Sequence, residues 1–163
     1  MFGAMWVVVL GLLTLFFQGL WEHQSNPNGR VSGTEAAGGA RKVVLRANRA
    51  HHYVATGTIN GKPATFLLDT GASDVAVPAS VAERIGLPRG RREAFHTANG
   101  RAVGYSTHLD RVELGGIAVH DVRGSINPGM DGDVVLLGMS FLRQLEFTQR
   151  GDELILRQAP APQ

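Results

Sequence analysis

The residues that could do chemistry lie in one short run, FLLDTGASDVAVP, Phe66–Pro78. An apolar stretch, Phe66-Leu67-Leu68, delivers a carboxylate, Asp69, straight into Thr70-Gly71-Ala72. That is the layout of an acid on a tight loop at the end of a buried strand. Hydrolysing a peptide with neither a metal nor a covalent intermediate needs a base to activate water and an acid for the carbonyl or the leaving amine. Two adjacent carboxyls sharing a proton do both jobs, because like charges held close together do not both ionise easily. The chain carries a single run of this kind. It therefore predicts a homodimer in which two copies, related by a two-fold axis, each bring one Asp69. Gly71 lets the backbone pass close to the pair, and Thr70 can hydrogen-bond across to its symmetry mate.

Positioning these residues requires β structure. Alternating Tyr53–Ile59, the turn Asn60-Gly61 and the return Ala64–Leu68 predict a hairpin that ends at Asp69. His108–Leu114, Gly115-Gly116 and Ile117–Val122 predict another. A third is expected over Phe95–Tyr105 with Asn99-Gly100 at its tip, and a fourth with Leu145–Thr148 and Glu153–Leu156 flanking Gln149–Asp152. Two short helices interrupt the strands. Ser80-Val81-Ala82-Glu83 reads as a capping box, closed by Gly86 and Pro88. Met139–Gln144 follows Gly138 as the second helix. The order hairpin, apolar strand, loop, helix occurs twice, and only the first copy carries the acid. Leu136-Leu137-Gly138 of the second copy is expected to pack behind the Asp69 loop.

The folded part spans about residues 42–158. Ahead of it, Phe2–Trp21 is twenty residues with Thr14 and Gln18 as its clearly polar side chains. That length suits a bilayer's hydrocarbon core, and Trp6 and Trp21 sit near the two ends. No Lys or Arg precedes the stretch and no small-residue cleavage site ends it, so residues 1–21 read as an uncleaved anchor. Residues 22–41, with SNPNG, SGT and AAGGA, read as a flexible tether, and 159–163 as a tail. The absence of Cys excludes disulfides, thiol nucleophiles and Cys-ligated zinc. Net charge is +2 and nearly all the basic residues are Arg, which reads as composition bias, so no nucleic-acid partner is expected. The His residues show no metal-ligand spacing, and no G-x-G occurs, so neither a metal nor another cofactor is expected. His51-His52 reads as a strand pair facing opposite ways. Arg89–Arg92 reads as a solvated loop. Ser73 and Ser140 lie outside any G-x-S-x-G elbow.

FLLDTGASDVAVP, the TANG turn at Thr97–Gly100 and VVLLGMSFL at Val134–Leu142 occur in the order and spacing of the retroviral-type aspartic peptidases. Residues 50–157 resemble that family, and more closely its membrane-anchored bacterial branch. The resemblance implies an all-β, retropepsin-like barrel with one or two short helices behind a single N-terminal transmembrane helix. It implies Asp69 as the catalytic residue of an aspartic endopeptidase acting on polypeptides. It also implies Thr97, Ala98, Asn99 and Gly100, with Arg101, as a flap over substrate, and the strand near Leu154–Leu156 as part of a dimer sheet. The bacterial branch implies a single-pass inner-membrane protein with its peptidase domain on the periplasmic side. The viral pattern places an acid and an Arg where this chain has Ser73 and Met139, so one ion pair is missing as a unit. Ala72 has no hydroxyl to hydrogen-bond the carboxylate, so activity is expected at mildly acidic to neutral pH.

A DTG tripeptide alone is common by chance; its apolar lead, the helix after it and the later Leu-Leu-Gly carry the reading. Asp74 reads either as a substrate contact or as a solvated loop acid. The alternative to a peptidase is a silent peptide-binding or scaffolding module of the same fold. A further variant is a hydrolase that first cuts its own tether within residues 22–45.

Overall fold

The computed structural model describes residues 24–35, 39–97 and 100–160. The expected anchor over Phe2–Trp21 lies outside them, and among the described residues no helix is long and apolar enough to cross a membrane. The strands are β1 (Thr34–Glu35), β2 (Arg41–Arg46), β3 (Val54–Ile59), β4 (Lys62–Leu68), β5 (Val75–Pro78) and β6 (Arg92–Thr97). They continue as β7 (Gly100–Leu114), β8 (Ile117–Asn127), β9 (Val134–Leu137), β10 (Glu146–Arg150) and β11 (Glu153–Gln158). Helix α1 (Ala79–Ile85) follows β5, and the single turn α2 (Met139–Leu142) follows β9.

Seven strands form one sheet in the order β3-β4-β9-β5-β8-β7-β6, and β3 also pairs with β7. The extra pairing closes every strand but β6 into a barrel, which removes the exposed edges of an open sheet. The order shows the two-copy plan. β3-β4-β5-α1 and β7-β8-β9-α2 exchange places when the sheet is read from its other side. β4 lies parallel to β9, and β5 lies parallel to β8. Both halves are thereby interlocked through strands that follow a hairpin. The turns Asn60-Gly61 (φ 50° and 76°) and Gly115-Gly116 (φ 55° and 91°) hold positive φ at both central residues, the geometry of a two-residue hairpin. The barrel fills with Phe66, Ile59, Leu109, Leu114, Ile126, Leu137 and Phe141, all fully buried. Each contributes about 1.5–3 kcal/mol by leaving water.

Several elements differ from expectation. The capping box does not form. β5 runs straight into α1, so Pro78 becomes the N-cap and Ser80 lies inside the helix, donating to the Gly132 carbonyl at 3.2 Å. Glu83 pairs instead with Arg89 at 2.7 Å. Arg89 also lies 5.4 Å from the Tyr105 ring centroid, so that part of the basic loop is engaged. The Gly86 terminus forms as expected, with φ 69° and a Leu87 N–H to Ala82 O bond of 2.8 Å. α2 stops at Leu142, after which Gln144 and Leu145 make bonds three residues back. Gly100 belongs to β7 and pairs with Thr97, so it does not sit at the expected tip, whereas Arg150 pairs with Glu153 and narrows the expected Gln149–Asp152 turn to Gly151-Asp152. His51 occupies a loop at φ 59°, not a strand.

A second sheet, in the order β1-β2-β11-β10, packs Val43, Leu45, Leu154 and Leu156 against the barrel. Leu154–Leu156 therefore lie in a strand paired on both edges within its own chain. The backbone groups of this strand, expected to be part of a dimer sheet, are used within the chain by β2 and β10. The outer strands are β1 and β10.

The tether expectation also fails over residues 26–35. Asn28 is 7% exposed and joins the two sheets. Its amide donates to the carbonyls of Arg46 (2.9 Å, β2) and Val54 (2.7 Å, β3) and its Oδ1 accepts the Arg46 N–H at 2.8 Å. Asn26 reaches Thr56 Oγ1 at 2.9 Å, and Thr56 N–H donates to Asn28 O at 3.2 Å. Polar residues that look like linker in sequence act here as a strap. Asn28→Ala would strand a buried N–H and two carbonyls, at about 1–3 kcal/mol for each group left unpaired. We expect a stability loss of at least about 3 kcal/mol, readable as a lower urea midpoint with an unchanged slope.

Candidate active-site loop

β4 carries Ala64 and Phe66 inward and ends at Leu68, so that Asp69 emerges at the barrel's rim. Leu67 and Leu68 pair with Leu136 and Leu137 of parallel β9, and Asp69 N–H donates to Leu137 O at 3.2 Å. The loop then turns tightly. Gly71 N–H donates to Asp69 Oδ1 at 2.9 Å, and Ala72 N–H to Asp69 O at 3.3 Å. Asp69 and Ala72 are half-buried, while Thr70 and Gly71 are exposed. The carboxylate is thus oriented by its own loop and remains reachable.

What holds the loop is the second copy of the repeat. Met139 N–H donates to Ala72 O at 2.8 Å and Ser140 N–H to Ser73 O at 2.9 Å. Ser140 is 4% exposed; its hydroxyl accepts from Val75 N–H at 3.1 Å and donates to Arg123 O at 2.7 Å. Ser73 and Met139, the positions of the missing viral ion pair, are therefore tied into one assembly by backbone bonds. Gly138 is buried where the strand gives way to α2. A Cβ there would collide with the carbonyl oxygens of Ala72 and Asp74, so the close approach of loop and strand requires glycine. Leu136, Leu137 and Gly138 thus take the place expected of them, directly behind the Asp69 loop.

Of the expected flap residues, Thr97 and Gly100 face each other in the β6–β7 pairing; Ala98 and Asn99 lie outside the described residues. From Tyr105 onward β7 is backed by β8, whereas residues before it pair with β6. Asp74 is neither solvated nor free. Its side chain is 16% exposed and its Oδ2 lies 3.2 Å from Arg123 Nε. Arg123 Nη2 lies 3.7 Å from Glu93 Oε2 on β6. Ser140, Arg123 and Glu93 are the local residues that sequence reasoning missed. Ser140 sits in the recognisable Gly-Met-Ser-Phe-Leu stretch, but the other two have no signal, because distant strands bring them together.

A closed barrel of two related units, with an Asp-Thr-Gly loop seated on the second unit's Gly138, is the retropepsin-like aspartic protease fold. The chain belongs to the gag-polyprotein putative aspartyl protease family, whose model matches residues 55–144, more than half of the 163. The structure is similar to that of a retropepsin-like aspartic protease from Rickettsia conorii, with TM-score 0.59 and 26% identity, covering 79% of this chain and 95% of that one. An uncharacterized Sinorhizobium sp. protein from the cobV 5′ region is 37% identical over 133 residues, 79% of this chain and 57% of its own length. An uncharacterized Rickettsia prowazekii protein is 26% identical over 117 residues, 70% of this chain and 49% of its own. The chain thus spans about half the length of these curated relatives.

The seat of the loop makes a direct prediction. Gly138→Ala must push the Ala72 and Asp74 carbonyls away, an overpacking cost of about 1–3 kcal/mol. We expect a lowered unfolding midpoint together with loss of whatever chemistry Asp69 performs, whereas Ser80→Ala, at the unformed cap, should change stability by less than about 0.5 kcal/mol.

Proposed function

We propose that this protein is an aspartic endopeptidase, active as a homodimer in which two Asp69 carboxyls share a proton and activate water. The observation that carries the reading is the Asp69 loop itself: an accessible carboxylate oriented by Gly71 N–H and fixed from behind by Met139 and Ser140. A binding module has no use for an acid held this way. Exposed Thr70 and Gly71 are the loop's contribution to the two-fold contact. One carboxyl, ionised, takes a proton from the attacking water; the other, protonated, donates to the substrate carbonyl. The tetrahedral intermediate then collapses as the leaving nitrogen is protonated. The β6–β7 ribbon closes over the substrate, which lies extended and adds strand-like hydrogen bonds.

We further propose that residues 2–21 anchor the chain in the inner membrane with this domain on the periplasmic side, where confinement to two dimensions favours pairing. Self-processing fits upstream of Asn26, because a cut between Asn26 and Leu45 would remove the strap or sever β2.

The test is cleavage of a diverse peptide mixture by the full chain in detergent micelles, wild type beside Asp69→Asn, with the dimer verified by light scattering. Wild type should cleave and Asp69→Asn should lose at least about 10³-fold in rate. Silence from a verified wild-type dimer would favour the peptide-binding module.

A further inference from the structure

Arg123 stands between two carboxylates on different elements. Asp74 ends the candidate catalytic loop, and Glu93 belongs to the outer strand of the candidate flap. Both acids are shielded, at 16% and 28% exposure, while the arginine's own side chain is 66% exposed. Either pair alone would be weak in water. What strengthens the arrangement is the fixed backbone under it. β8 is paired on both sides around this position, with His108 of β7 opposite Arg123 and Val75 of β5 opposite Gly124. The Arg123 carbonyl is held by Ser140 Oγ at 2.7 Å. One planar guanidinium therefore serves two acids from a stationary base, and the ordering of its stem is shared between them.

We propose that Arg123 is a positioning and specificity-determining residue: it yokes the Asp69 loop to flap strand β6 and halves the negative charge that Asp74 and Glu93 would otherwise present to the substrate groove. The inference rests on the peptidase reading for the words loop, flap and groove; the bridging itself does not depend on it. With Arg123 in place the three side chains carry a net charge of −1. Without it they carry −2 on the two carboxylates that flanked the guanidinium, which repel each other and attract a cation. A substrate Lys or Arg side chain is the cation available to fill that gap.

The test compares wild type with Arg123→Gln and Arg123→Lys in the full chain. Hydrogen exchange of the β6 amides reports the yoke without needing activity. Exchange should rise about three- to tenfold in Arg123→Gln and return most of the way in Arg123→Lys. Cleavage of matched peptides with Lys or Gln at each position near the scissile bond reports the charge. Arg123→Gln should gain about three- to tenfold in preference for Lys at one position, and that gain should shrink in 1 M salt, where charges are screened within about 3 Å. Unchanged exchange together with an unchanged peptide ranking would overturn the proposal. If wild type cleaves nothing, the peptidase reading fails while the exchange measurement still decides the yoke. A variant that merely misfolds would raise exchange throughout the barrel, and then Arg123→Lys against wild type decides: a cation that restores neither readout overturns the proposal.

Discussion

The structure depends on one close approach, that of the Asp69 loop to the strand end at Gly138. Backbone carbonyls of Ala72 and Asp74 occupy the volume a side chain would take there. Once that contact is made, Met139 and Ser140 N–H groups find acceptors in Ala72 and Ser73. The hydroxyl of Ser140 then reaches both Val75 and Arg123. These bonds join the first copy of the repeat to the second, so the loop that carries the acid is also where the halves interlock. Buried backbone groups must be paired, and here the pairing and the orientation of the acid are one set of bonds. Displacing the loop therefore costs several buried hydrogen bonds at once, which keeps a half-exposed carboxylate in a single geometry.

Much of this was legible from local signals. Asn60-Gly61 and Gly115-Gly116 each specify a two-residue turn, because both residues must take positive φ. The apolar run before Asp69 could only be a buried strand, and Gly86 marked the end of α1. Signals that depended on neighbours misled. Ser80 and Glu83 have the right spacing for a cap, yet β5 continues into the helix and leaves no free N-terminus for the box. The tip expected at Asn99-Gly100 was displaced because cross-strand pairing, invisible in sequence, sets the register. Asn26 and Asn28 read as linker because their value lies in reaching two strands that only the fold brings together. Arg123 was illegible for the same reason.

The second sheet uses the backbone groups of its inner strands within the chain. With β2 and β10 on either side, β11 has no backbone groups left for a neighbour. The outer strands of this sheet are β1 and β10, of which β10 is exposed throughout and carries Phe147 at 41% exposure.

The length of β7 has a thermodynamic corollary. Its far end is a stave of the barrel, held by β8 and, at Val112 and Glu113, by β3. Before Tyr105 it is half of a ribbon with β6. A two-stranded ribbon is marginally stable alone, whereas the barrel shares one core. The same strand therefore spans two very different opening free energies. The ribbon can part and re-form at a far lower free energy than the barrel, which stays shut meanwhile.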